Sequence, residues 1–260
     1  MIPQSPGYIF ISIGDLAITW YGLCIVIAAA AGLYVLLRKT QHNKKLSESI
    51  FDIALWSIVA GFIGARAYHV WNEWWWYHDH LDHVYRIWEG GLAIHGGLLA
   101  SMLVMFLLAR KKKILFFQIA GLFAPALLVA QAIGRWGNYF NEELFGKPLH
   151  TWWALHVSLS ARPVQYMAEQ TFHPLFLYEM VLNLLLFAII MIAWKKLSPT
   201  RGVITAIYFI GYGAIRFALD FFRFDQFGFG PFTLAQWVSL CLIFMGGVLL
   251  YYQRFWYKKG

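Results

Sequence analysis

Long apolar runs, separated by short stretches of charge, proline and glycine, organise this chain from end to end. About twenty predominantly apolar residues are needed to cross ~30 Å of hydrocarbon as a helix. By that measure the pattern predicts seven spanning helices, at about 18–37, 50–72, 92–109, 115–136, 174–194, 202–222 and 233–253. The expectation is an all-α integral membrane protein, with residues 1–260 forming a single transmembrane domain.

Charge then orients the spans. The connections at 38–49, 110–114 and 195–201, with the tail after 253, hold 14 of the 21 Lys and Arg. These are Arg38, Lys39, Lys44, Lys45, Arg110, Lys111, Lys112, Lys113, Lys195, Lys196, Arg201, Arg254, Lys258 and Lys259. Positively charged loops stay cytoplasmic, so the N-terminus is expected outside and the C-terminus in the cytoplasm. The outer side then carries segments 73–91 and 137–173, the latter a small outer-face insertion. Their Trp, Tyr and His content suits the headgroup level, and Trp74, Trp75 and Trp76 read as an interfacial anchor.

Composition excludes the rival classes. With 60% hydrophobic and 13% charged residues, no soluble domain of this size could hide its apolar surface. The net charge of +8 comes from short clusters between apolar runs, which are topology signals rather than a nucleic-acid stripe. Cys24 and Cys241 fall inside apolar runs and read as small core residues. The first basic residue is Arg38, so the positive leading region of a cleavable signal peptide is not expected. His78, His80 and His83 with Asp79 and Asp82 fit a wet loop as well as a metal site. No metal or other cofactor is expected.

Charged side chains inside spans cost ~2.5–3.5 kcal/mol each on insertion scales, so the retained ones are informative. Tyr212, Arg216, Asp220 and Arg223 follow spacings that put them on one stripe of the sixth span. At ~1.5 Å per residue Arg216 stands about 21 Å from the inner surface, and Arg135 about 30 Å along the outward-running fourth span. His95, Tyr21, Tyr178, Glu179 and Arg66 fall near the same outer layer, so six helices contribute to it. A plain Arg216–Asp220 ion pair that packs helices is the simpler alternative, and Asn183 in the fifth span suits helix glue.

Residues 134–146, Gly-Arg-Trp-Gly-Asn-Tyr-Phe-Asn-Glu-Glu-Leu-Phe-Gly, resemble the signature of the bacterial prolipoprotein diacylglyceryl transferases. Further matches follow in the family's order: Trp20-Tyr21-Gly22, Trp88-Glu89-Gly90-Gly91 leading to His95-Gly96-Gly97, His173-Pro174, Leu177-Tyr178-Glu179, Tyr212-Gly213 and Arg216-Phe217. The chain departs from the pattern at Tyr139, where Phe is usual, and at Asp220, where Glu is usual. Phe176 replaces a Gln and Ala235 a Gly.

The resemblance implies transfer of the diacylglyceryl group of phosphatidylglycerol to the lipobox cysteine of a prolipoprotein, at the outer face of the inner membrane. A thioether forms and glycerol phosphate leaves. It implies Arg135 and Arg216 as the phosphate clamp, since guanidinium groups bind phosphate bidentately. Asn138 and Tyr21 would fix the headgroup, Glu143 and Asp220 would orient the arginines, and Arg66, Tyr212 and Arg223 would complete the binding set. His95 would serve either as base or as a structural donor at a close helix contact. An outward-facing protein that binds or transports anionic lipid or another anion, without transferase activity, is the alternative. The nearly uncharged inner halves of the spans argue against a path across the membrane.

Overall fold

The computed structural model describes residues 1–14, 16–197, 202–225 and 228–256; Arg201, Lys258 and Lys259 of the basic connections lie outside these. Among the described residues there are eight α-helices: α1 Trp20–Thr40, α2 Lys44–Asn72, the short α3 Trp74–Tyr77, α4 Ile94–Lys111, α5 Phe116–Phe140, α6 Leu175–Lys196, α7 Val203–Asp220 and α8 Leu234–Trp256. All but α3 are long and apolar enough to cross a membrane. The protein is therefore a seven-span helical membrane protein.

Three two-stranded antiparallel ribbons sit in the connections: β1 Ile9–Ile13 with β2 Leu16–Thr19, β3 Leu155–His156 with β4 Thr171–Phe172, and β5 Gly228–Phe229 with β6 Phe232–Thr233. The first turns at Gly14, whose φ of +59° suits a residue without a Cβ.

Two helices differ in extent from the hydropathy pattern. α2 starts at Lys44, six residues before the expected 50, because Asn43 caps it by accepting a hydrogen bond from the Leu46 amide. Hydropathy reports which residues can lie in lipid, and the polar first turns of a helix fall outside that measure. α5 continues past 136 to Phe140, which keeps Arg135 and Asn138 on one helical face.

The chain divides into two compact units, Met1–Val35 with Ala120–Gly260, and Leu36–Ile119. In the smaller unit α2 and α4 pack through glycines. A Cβ at Gly64 would fall on Ala100 and the Gly96 carbonyl, and one at Gly97 would press on Ala65 and the Gly61 carbonyl. Close backbone approach of this kind is how spanning helices gain contact where lipid supplies no hydrophobic drive.

In the larger unit α7 crosses α8 in the same way at Gly213 and Gly246. α5, α6 and α7 share a core of Ala124, Leu128, Leu186, Ile190 and Ile204. Thr233 and Gln236 form a reciprocal capping box at the start of α8: the Thr233 hydroxyl accepts from the Gln236 amide, and the Gln236 side chain accepts from the Thr233 amide. Cys24 is buried, whereas Cys241 is exposed on α8, so only the first is the core residue expected. A thiol on a helix face turned to lipid behaves as a small apolar group and needs no core.

Candidate functional site

Three helix ends meet in the larger unit. Arg135 lies in the last turns of α5, Glu179 in the second turn of α6, and Arg216 near the end of α7. Arg135 Nη2 donates to Glu179 Oε1 at 2.6 Å, and Arg216 Nη1 donates to Glu179 Oε2 at 2.9 Å. One carboxylate thus bridges both arginines, one oxygen to each. The Glu179 side chain is only 5% exposed, against 19% for Arg135 and 22% for Arg216. The carboxylate is the covered end of the bridge, and the guanidinium groups keep an open side. A small cleft lies there, lined by Arg135, Glu179, Arg216, Arg223, Leu219 and Leu144 among others.

The signature segment supports the bridge from α5 onward. Arg135 Nη1 donates to Asn138 Oδ1 at 3.0 Å, and Asn138 Nδ2 donates to Glu143 Oε1 at 2.8 Å. Glu143 thereby orients Arg135 through the Asn138 amide. The spacing of three residues between Arg135 and Asn138 works only because α5 stays helical to Phe140. Gly137 leaves room for Tyr21, since a Cβ there would strike the tyrosine ring. Gly146 sits against the Phe222 carbonyl and the His173 side chain, and its amide donates to the His173 carbonyl at 2.9 Å. Tyr139, the departure from Phe, places its hydroxyl 3.2 Å from the Pro3 carbonyl and so gains a bond to the N-terminal segment.

Asp220 has a hydrogen-bond partner beyond the one expected. Its carboxylate accepts the hydroxyl of Thr233, tying the end of α7 to the cap of α8, while its charge still acts on Arg216. The hydrogen bond to Arg216 comes from Glu179 on α6. Arg223 pairs with both oxygens of Asp225, at 2.8 Å for the first. Burial alone would raise the Asp225 carboxyl, but the Arg223 bonds hold it below the usual carboxylate value.

Beneath the bridge, one turn back along two helices, stand groups that the sequence reading left out. Gln131, four residues before Arg135, donates to the Tyr208 hydroxyl at 3.3 Å, and Tyr208 stacks on Tyr212 with ring centroids 5.6 Å apart. Steps of four in the sequence were the signal for both. Asn183 is fully buried one turn from Glu179, and neither its amide nitrogen nor its oxygen has a hydrogen-bond partner. It therefore does not hydrogen-bond across helices as helix glue would.

Arg66 and His95 belong to the smaller unit. Arg66 is 7% exposed and donates to four backbone carbonyls: Val84 at 2.8 Å, Gly90 at 2.7 Å, Gly91 at 3.1 Å and His83. Its guanidinium also lies 5.2 Å from the centre of the Tyr77 ring. This arginine organises the 83–91 loop, an employment different from the anion contact expected of it. His95 is exposed at the start of α4, its ring 6.3 Å from that of Tyr68. In the histidine-rich loop His78 pairs with Asp79 at 3.1 Å and His80 stacks on Trp76 at 4.2 Å. Among the described residues no three His, Cys, Asp or Glu side chains gather as a metal-binding group.

The model of the prolipoprotein diacylglyceryl transferase family matches residues 8–252. Curated relatives named phosphatidylglycerol-prolipoprotein diacylglyceryl transferase include that of Acaryochloris marina, 39% identical over 93% of this chain and 89% of its own length. That of Thermosynechococcus vestitus is 36% identical over 96% and 94%, and that of Streptococcus pneumoniae 37% identical over 95% and 94%. With the signature, the seven spans and these relatives in agreement across nearly the whole length, the chain belongs to the prolipoprotein diacylglyceryl transferase family.

Proposed function

We propose that this protein transfers the diacylglyceryl group of phosphatidylglycerol to the thiol of a lipobox cysteine in a prolipoprotein, working from the outer face of the inner membrane. The supporting observation is the convergence of two arginines from different helices on one covered carboxylate, with their open side on a cleft. Two cations held four-fifths buried in a membrane helix bundle are expensive, and the single carboxylate between them leaves charge for a further anion to use.

In the reaction the thiol sulfur attacks the glycerol carbon that bears the phosphate. The carbon–sulfur bond forms as the carbon–oxygen bond breaks, and the phosphate oxygen leaves with the electron pair as glycerol phosphate. The thiol proton passes to a base. No phosphoryl group reaches the enzyme, so no protein nucleophile is required. A thiol of pKa ~8.5 is a few per cent ionised at neutral pH, so the base gains at most tens-fold from ionisation. Stabilising the leaving phosphate is the larger task, and single well-placed donors are worth ~10²–10³ in rate.

In this scheme Arg135 and Arg216 hold the phosphate, with Asn138 keeping the Arg135 fork in plane. Tyr21 and Tyr212 bind the headgroup beside them, and Arg223 adds a third guanidinium at the mouth of the cleft. Incubating the purified protein with phosphatidylglycerol and a lipobox peptide tests this, with the peptide mass as readout. A gain of one diacylglyceryl group on the cysteine is expected; its absence, under conditions where a known transferase works, overturns the proposal.

A further inference from the structure

Glu179 presents a difficulty for a site built to hold phosphate, because a carboxylate already occupies both arginines. Two guanidinium groups and one carboxylate sum to a single positive charge, and the buried Asp220 carboxylate, whose charge also acts on Arg216, lowers it further. Arg223 beside them is matched by Asp225 and leaves that sum unchanged. Phosphatidylglycerol is a phosphate diester with one negative charge, the most that the three bridged groups can balance. The leaving glycerol phosphate is a monoester whose second ionisation lies near pH 6, giving it about −1.5 to −2 at neutral pH. Product on the same bridge would leave an uncompensated negative charge in a covered site, which is costly.

We propose that Glu179 is a positioning residue whose charge tunes the arginine pair to the diester substrate and against the monoester product, so that it promotes product release. The inference rests on the transferase reading above. The geometry favours it in two respects. Glu179 binds each arginine with a separate oxygen, so it fixes their spacing while lowering their joint charge. It is also the least exposed member of the three, so the arginines present more of their surface to the cleft than it does.

The test compares two soluble inhibitors of the purified full-length protein, glycerol phosphate and the diester glycerophosphoglycerol. Wild-type protein should be inhibited at least as strongly by the diester as by the monoester. In Glu179→Gln, which keeps size and one acceptor oxygen, the preference should reverse, with glycerol phosphate inhibiting at about tenfold lower concentration from the removed charge alone. Steady-state turnover should fall in that variant while the single-turnover rate changes less, the signature of slow release. Glu179→Asp, which keeps the charge, should restore the wild-type order of inhibitors. An unchanged order in a folded Gln variant overturns the proposal. Should the Gln variant fail to fold, stronger inhibition of wild-type protein by monoester than by diester overturns it equally. A wild-type protein that forms no diacylglyceryl peptide overturns the transferase reading instead, and the two failures are told apart by that measurement.

Discussion

Arg66 and the Arg135–Arg216 pair are all arginines in spanning helices, and their surroundings are opposite. Around Arg66 the partners are backbone carbonyls, four of them from one loop. A guanidinium has five N–H donors, so four such bonds nearly saturate it, and neutral acceptors leave its charge in place without attracting an anion's competitor. Around Arg135 and Arg216 the partner is a shared carboxylate, with Asn138 on Arg135, and Arg135 Nε has no hydrogen-bond partner among the described residues. The first arginine is spent on shape. The second pair is held in readiness, with its spacing set and donors left over. An arginine's depth in a span says that it is expensive; the chemistry of its partners says whether the expense is structural.

That contrast is sharpest in mutant kinetics. Arg135→Ala and Arg216→Ala should each lower transfer by ~10²–10³ or more, with the folded protein retained. Arg135→Lys should recover little, because an ammonium cannot bond Asn138 and Glu179 as one planar fork does. Arg66→Ala should do the reverse: unfolding in detergent comes earlier, by about 2–4 kcal/mol for a loop stripped of its donors, while folded molecules keep most of their rate. Loss of one clamp arginine without loss from the other would break the paired role, and an Arg66→Ala protein of wild-type stability but no activity would collapse the contrast altogether.

A smaller effect lies at the edge of the clamp's support. Trp153 Nε1 donates to the Tyr178 hydroxyl at 3.0 Å, which leaves the Tyr178 proton for His173 Nδ1, 3.2 Å away. With Tyr178 as the donor the imidazole is neutral. Burial and then the Lys147 ammonium hold the His173 pKa below its ordinary 6.5. The unfolded chain therefore binds the proton first, so stability is intact above pH 6.5 and declines as pH falls below it. Melting temperature in detergent should drop more steeply below that pH in wild-type protein than in His173→Gln. Equal slopes would remove His173 from the account.

The sequence disclosed the spans because apolar length is a property of single segments. It disclosed Arg135, Asn138 and Arg216 because charge in a span and a thirteen-residue signature are both local. What it concealed were partner choices across helices. Asp220 lies four residues from Arg216 on one helix and its charge acts on it, but that spacing does not disclose that its carboxylate also accepts from Thr233 on the next helix cap. Glu179 was visible in the polar layer, but no spacing within α6 says that it will divide itself between α5 and α7. The strand ribbons escaped for a similar reason: β3 and β4 are two residues each, and a pair so short exists only by virtue of what surrounds it. The cap at Asn43 was missed although it is local, because an Asn three residues before its bonded amide marks a helix start, whereas hydropathy alone begins the span at 50.

Asn183 gives the weakest and most discriminating extension of the comparison, since its polar atoms are neither saturated like those of Arg66 nor shared like those of the clamp. It is fully buried, one turn from Glu179, with both amide atoms unpartnered in the chain. An unsatisfied buried polar group costs about 1–3 kcal/mol, and a same-sized apolar side chain avoids that cost. Asn183→Leu should therefore raise stability in detergent by about 1 kcal/mol, partly offset by the changed shape. Transfer should stay within a few-fold of wild type if the bridge above is self-sufficient. A loss of activity in a stabilised variant would instead extend the working site one turn deeper, to the level of Gln131. Its rate and its melting point, measured on the same preparation, separate those outcomes.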